Sequence, residues 1–167
     1  GLSLTVVYDG LKNIFLYTLY GIFKVFSLDS RFIICSFNKN QHYIYDIKTG
    51  KKLHTFTGVN PCFSFDGNYI AITTYHDGQD CVELYSSQTG NLLHRLPGIL
   101  PKFSPSGNYI VTTYYDHRKN IYRCTDGKKV HTMPNIYLSF SHDDEYIISL
   151  SKREAPVYYP WGERSFG

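Results

Sequence analysis

The sequence predicts an all-β protein assembled from about four copies of one antiparallel unit. Three observations carry this expectation. Aromatic residues make up 17% of the 167-residue chain, with 16 Tyr and 11 Phe, and rings suit pleated, half-buried surfaces. Strong helix formers are scarce, with Ala only at positions 71 and 155. One phrase recurs: FSLDSRFI from Phe26, FSFDGNYI from Phe63, FSPSGNYI from Phe103 and FSHDDEYI from Phe140, at spacings of 37, 40 and 37 residues.

A second marker runs in phase with the first. It is Gly50 in KTGKKLH, Gly90 in QTGNLLH and Gly127 in TDGKKVH, held more weakly by Gly10 and Gly162. From the turn glycine to the next Phe the distances are 16, 13, 13 and 13 residues, while from Phe to the following glycine they are 24, 27, 24 and 22. The constant arm is a fixed unit, and the variable arm holds a loop that tolerates insertion. That loop is expected in YHDGQDC after Tyr75, in YDHRKNI after Tyr115 and at Lys152–Pro156.

Each repeat reads as four strands. The first ends at the Phe-Ser pair and a tight turn follows, as at Asp66-Gly67. The second is the most apolar, as in YIAITTY from Tyr69 and YIVTTYY from Tyr109, which predicts cover on both faces. The third follows the variable loop, as in HYIYDI and CVELYS. The turn glycine then leads to an outer strand such as 51–56. Leu4 to Tyr8 reads as a third strand. A lone sheet of ~40 residues cannot bury two apolar faces, whereas stacking against like neighbours can. Radial stacking of such sheets is the β-propeller. One domain spanning 1–167 is expected, with repeats at about 11–50, 51–90, 91–127 and 128–162.

YIYDIKTGKKLHTFTG, from Tyr43, resembles the end of a WD40 repeat, with Tyr45-Asp46 where Trp-Asp is usual. FSFDGNYIAI and FSPSGNYIVT resemble that family's inner hairpin. Gly58-Val59 stands where many WD40 repeats carry Gly-His, and the Trp-Asp position reads Leu84-Tyr85 and Tyr122-Arg123 in later repeats. The family's buried His–Ser/Thr–Asp–Trp network is therefore not carried over, and blades held mainly by apolar packing are expected. The resemblance implies a ring of about seven blades. Three arrangements stay open: an excerpt of a larger propeller, four self-closing blades, or an arc pairing with another chain. The initial Gly1 fits a processed or excerpted sequence.

The net charge of +3 and pI of 8.6 are mild, and the Lys-Lys and Lys-Arg pairs are scattered, so nucleic acid is not the expected partner. Cys35, Cys62, Cys81 and Cys124 form no C-x-x-C pair and no Asn-x-Ser/Thr site occurs, which points to reduced thiols and a cytoplasmic setting. The apolar run Ile14–Phe26 is broken by Gly21 and Lys24 and falls short of the ~20 residues a spanning helix needs, so no membrane is expected.

His54, His94 and His131 each follow a turn glycine by four residues, on outer strands one blade apart, too distant to share an ion. His42, His76, His117 and His142 fall in or near expected turns. Ser86, Ser87 and Ser104 are turn serines without a nucleophile elbow. Asp77, Asp80, Asp116, Asp143 and Asp144 lack a calcium-loop series. No catalytic residue, cofactor or metal ligand is assigned. The candidate partner-binding loops are His76 and Asp77, His117, Arg118 and Lys119, and Lys152 and Arg153, the last five forming a basic patch suited to an acidic partner or a phosphate. Pro97, Ile99, Leu100 and Pro101 are expected on the same face. The expected function is a non-catalytic scaffold for protein partners, with self-association if the ring is incomplete. A non-catalytic domain of a peptidase-type enzyme and an RNA-associated propeller are the alternatives.

Overall fold

A computed structural model describes residues 3–134, 137–150 and 157–158. Its strands form consecutive antiparallel meanders. Blade 1 is β3 (Ile22–Phe26), β4 (Phe32–Ser36), β5 (Gln41–Asp46) and β6 (Lys52–Thr57). Blade 2 is β7 (Val59–Phe63), β8 (Tyr69–His76), β9 (Gln79–Ser86) and β10 (Leu92–Pro97). Blade 3 is β11 (Ile99–Phe103), β12 (Tyr109–Thr113), β13 (Lys119–Arg123) and β14 (Lys129–Met133). Blade 4 shows β15 (Tyr137–Phe140), β16 (Ile147–Leu150) and β17 (Val157–Tyr158). A hairpin of β1 (Leu4–Asp9) and β2 (Ile14–Tyr20) precedes them.

Cut at the turn glycine, units 51–90 and 91–127 each join the outer strand of one sheet to the inner three of the next. The apolar run Ile14–Phe26 is split at Gly21 between two sheets. Gly21 has φ +104, and a Cβ there would stand 2.9 Å from the Ser36 carbonyl oxygen, so the crossing between sheets requires glycine.

The repeated phrase builds one turn four times. The amides of Phe32, Tyr69, Tyr109 and Tyr146 donate to the hydroxyls of Ser27, Ser64, Ser104 and Ser141. The backbone closes each turn by Ser27–Phe32, Ser64–Tyr69, Ser104–Tyr109 and Ser141–Tyr146 pairs. The position after Asp29, Asp66, Ser106 and Asp143 is left-handed throughout: Ser30 (φ 58), Gly67 (φ 73), Gly107 (φ 79) and Asp144 (φ 60). Small or short polar residues there are what that conformation tolerates.

The second strands are buried along their length in β4 and β12, because their two faces meet two neighbours. Ile34, Ile44 and Phe56 of blade 1 pack with Ile70 and Ile72 of blade 2. Ala71, Val82, Leu84 and Leu96 of blade 2 pack with Phe103, Ile110 and Tyr122 of blade 3. Val111, Ile121 and Met133 pack with Leu138 and Ile147 of blade 4. On the other side, Leu19 of the hairpin packs with Ile33, Cys35 and Tyr45. Successive sheets thus shield one another in a β-propeller-like arc.

The same contacts recur at each boundary. Aromatic rings stack between blades as Phe32–Phe63, Tyr69–Phe103 and Tyr109–Phe140, with centroids 6.3, 6.5 and 6.4 Å apart. An outer-strand ring covers the next blade's turn glycine. Tyr17 faces Gly50, His54 faces Gly90 and His94 faces Gly127, so closely that a Cβ at Gly90 would lie 2.4 Å from the His54 Nδ1. His54 and His94 are thus packed at blade boundaries.

Candidate interaction face

The candidate residues lie on the edge where second strands return as third strands. In blade 2 this return is tighter than the sequence suggests. β8 runs to His76 and β9 starts at Gln79, leaving only Asp77 (φ 49) and Gly78 (φ 81) as the turn. Two positive φ values make the hairpin turn whose twist matches that of the strands. His76 is therefore a strand residue, and its Nε2 lies 3.2 Å from an Asp77 carboxylate oxygen. In blade 3 the chain turns through 114–118, with His117 at φ 66. Lys119 is likewise a strand residue, and its ammonium donates to the Thr113 hydroxyl at 2.7 Å. Desolvation, then the charge of Lys102, lowers its pKa. Arg118 pairs with Asp116 at 2.5 Å.

The structure brings the blade 2 and blade 3 returns together. The Tyr115 hydroxyl donates to the Asp80 carboxylate across the boundary, and this hydrogen bond raises the phenol's pKa. A cleft of about 230 Å³ lies there, lined by Gln79, Asp80, Ile99, Thr113, Tyr114 and Tyr115. A second cleft, of about 290 Å³, lies between blades 1 and 2 and shares Asp80, with Tyr75 and Thr73 on its walls. Tyr75 and Tyr115 are 69% and 70% exposed at equivalent places on adjacent blades. Leu100, beside the first cleft's Ile99, is also exposed.

The charge on this face is mixed. Arg118 and Lys119 stand with Asp77, Asp80 and Asp116. Lys152 and Arg153, the other part of the expected basic patch, lie outside the described residues. Among the described residues no group of three His, Cys, Asp or Glu gathers as a metal site. The turn serines are engaged structurally: Ser87 donates to the Gly67 carbonyl, and Ser104 to Asp144.

His42 lies on β5, beside a turn as expected, and is 2% exposed. Its Nε2 is 3.0 Å from the Gly58 carbonyl, which can only accept, so Nε2 carries the proton. Nδ1 then accepts from the Ser36 hydroxyl at 2.7 Å. Desolvation is the main cause of a lowered His42 pKa; the bond to Gly58 opposes it and Lys24 adds to it. A buried polar link thus ties blade 1 to the crossing into blade 2, beside the apolar packing that was expected to hold the blades for the most part. The equivalent place holds Lys119 beside Thr113 in blade 3, and Val82 beside Thr73 in blade 2. Valine offers no partner, and the Thr73 hydroxyl is buried without a hydrogen bond. Aligning His42, Val82 and Lys119 as one column was the signal available in the sequence.

No protein-family model matches the chain, and no curated protein matches it. Solved structures do: 779 chains match, so the architecture is widely shared and specifies no activity. One is the dihydro-heme d1 dehydrogenase NirN in complex with DHE, at 16% identity and a TM-score of 0.65. The match covers 93% of this chain and 39% of that one. At such identity the likeness establishes the fold alone, and with the meander sheets it gives a β-propeller-like architecture.

Proposed function

We propose that the chain is a non-catalytic, WD40-like propeller segment that serves as a scaffold for protein partners. The observation supporting this reading is the Tyr75–Tyr115 pair, strongly exposed on adjacent blades beside clefts that contain Ile99 and Asp80. Tyrosine supplies a large amphipathic contact at low ordering cost, and it is enriched among residues that dominate binding energy. Short turns on packed sheets keep such anchors in place before a partner arrives. The mixed charges around them suit a polar rim. Four free thiols, three of them buried, support a reducing, cytoplasmic setting.

The test is selection of binding peptides from an unbiased display library against the immobilised protein. Most binders should lose at least tenfold in affinity when Tyr75 and Tyr115 are both changed to Ala. Binders indifferent to that pair would refute the assignment of this face. A second reading, a non-catalytic propeller portion of a larger enzyme, draws support from the fold match, which spans 39% of a dehydrogenase chain. An RNA-associated role is tested by salt titration, where phosphate neutralisation gives a steep log–log slope.

A further inference from the structure

We propose that the cleft where the inner strands of blades 1 and 2 meet binds the phosphoryl group of a phosphomonoester, held by Lys24 and Lys39 over a floor of Ser36 and His42. The cleft has a volume of about 440 Å³, within the roughly 300–1,000 Å³ usual for small-molecule sites. All of its walls come from residues 24–61, so the site is complete within two blades that pack directly on each other. Ser36 and His42 are buried, while Lys24, Asn38 and Lys39 are exposed at the mouth.

The charge on the walls has one sign. Lys24 and Lys39 line the cleft and no Asp or Glu does. Among the described residues neither lysine takes part in an ion pair. Both depart from the repeat. The residues two places before Phe26, Phe63, Phe103 and Phe140 are Lys24, Pro61, Pro101 and Leu138, so blade 1 alone of the four puts a charge there. The strand β3 bulges at that residue, its register passing from Phe23 to Val25, and a bulge re-aims the side chain it carries. In blades 2 and 3 the return from second to third strand holds an acid beside a base, His76 with Asp77 and Arg118 with Asp116. The blade 1 return, 37–40, holds Lys39 and no acid. Two departures toward a cation thus converge on one cleft, and neither serves the packing between sheets.

The remaining groups favour an anion as well. The Asn38 Oδ1 accepts from the amides of Asn40 and Gln41, each at 2.9 Å, which leaves the Nδ2 donors of that side chain for a ligand. Desolvation is the main cause of the lowered His42 pKa, and Lys24 adds to it through its charge, so the Lys24 ammonium stands close to the floor. Two ammonium groups match a phosphomonoester, which carries about −1.5 to −2 at pH 7, better than they match one carboxylate. A lysine is a point charge on a flexible stem and suits a tetrahedral anion, whereas the guanidinium fork suits a planar carboxylate. No Arg lines the cleft.

Calorimetric titration of the 167-residue chain at pH 7.5 with inorganic phosphate and with glycerol 3-phosphate should show one site with a dissociation constant below about 1 mM. Acetate at equal ionic strength should bind about tenfold more weakly or worse, because it carries a single charge. Lys24→Gln and Lys39→Gln change exposed side chains, leave the fold intact and should each weaken phosphate about fivefold or more. Lys128→Gln removes the same charge from a blade 3 turn and should change nothing. At saturation the His42 ring resonances should shift while those of His94 stay in place. A parallel titration with vesicles containing phosphatidic acid separates the two sources of the group: tighter binding there assigns it to a lipid headgroup, and tighter binding of glycerol 3-phosphate to a soluble ester. The proposal is overturned by no binding at about 10 mM phosphate, by acetate binding equally well, or by equal losses in all three lysine variants, which would mark diffuse attraction.

Discussion

Asp144 of blade 4 accepts hydrogen bonds from Ser106 of blade 3, through both the Ser106 hydroxyl and, at 3.3 Å, its amide. At the two preceding boundaries the polarity is reversed. Asp29 and Asp66, which hold the position of Ser106, press their carboxylates against Gly67 and Gly107, which hold that of Asp144. One carboxylate occupies each boundary, supplied from either side. Gly107 carries the left-handed φ of +79, and a Cβ there would meet the Asp66 carboxylate at 2.8 Å. Gly107→Ala is expected to cost about 1–3 kcal/mol of stability. Asp66→Ser should recover part of that loss in the double variant, despite its own cost. Urea unfolding of the four-member cycle checks this, and strict additivity would show that the two residues do not meet.

His42 makes stability depend on pH. Its folded pKa is held below the ordinary histidine value of 6.5, chiefly through desolvation. The unfolded chain therefore binds the proton first, and stability falls as pH drops below about 6.5. The slope should approach 1.4 kcal/mol per pH unit until the folded pKa is reached, with a plateau above neutrality. His42→Leu should be less stable near pH 7.5 and should flatten this His42 component between pH 5 and 6.5. Denaturation midpoints across that range measure it.

Thr73 should respond in the opposite sense to most core changes. Its buried hydroxyl has no partner, so Thr73→Val removes an uncompensated polar group while keeping the shape. A gain of roughly 1 kcal/mol is expected from the desolvation cost of such a group. A rise in thermal midpoint checks it.

The pKa of the Cys62 thiol is pushed up to about 12 by desolvation, from an ordinary value of 9.0, and its Sγ lies 3.7 Å from the Pro101 carbonyl of blade 3. Because the thiolate is the reactive form, alkylation of native Cys62 at pH 8 should be about three orders of magnitude slower than in the unfolded chain. Mass spectrometry of time-quenched iodoacetamide reactions reads this directly.

Much of the arc was legible because its period is local. The Ser at 27, 64, 104 and 141 and the left-handed position three residues on form one turn, and that turn is a matter of adjacent residues. Burial of β4 and β12 on both faces was readable from their unbroken apolar runs. The boundary chemistry was hidden because its partners are 34 to 40 residues apart, as with His54 and Gln88 or Ser104 and Asp144. His42 opens the third strand HYIYDI beside a turn, where a polar residue reads as exposed; only its fit between Ser36 and Gly58 reveals the burial. The blade 2 return was overestimated because Asp77-Gly78 closes in two residues what an insertion-prone loop would spread over more.

Nuclear Overhauser contacts between selectively labelled aromatic rings test the central claim most directly. Sheets fanned so that each covers the next require cross-peaks for Phe32–Phe63, Tyr69–Phe103 and Tyr109–Phe140, whose ring centroids lie 6.3 to 6.5 Å apart. Observation of all three is the predicted result. A folded protein in which these rings show no mutual contacts would contradict the arrangement.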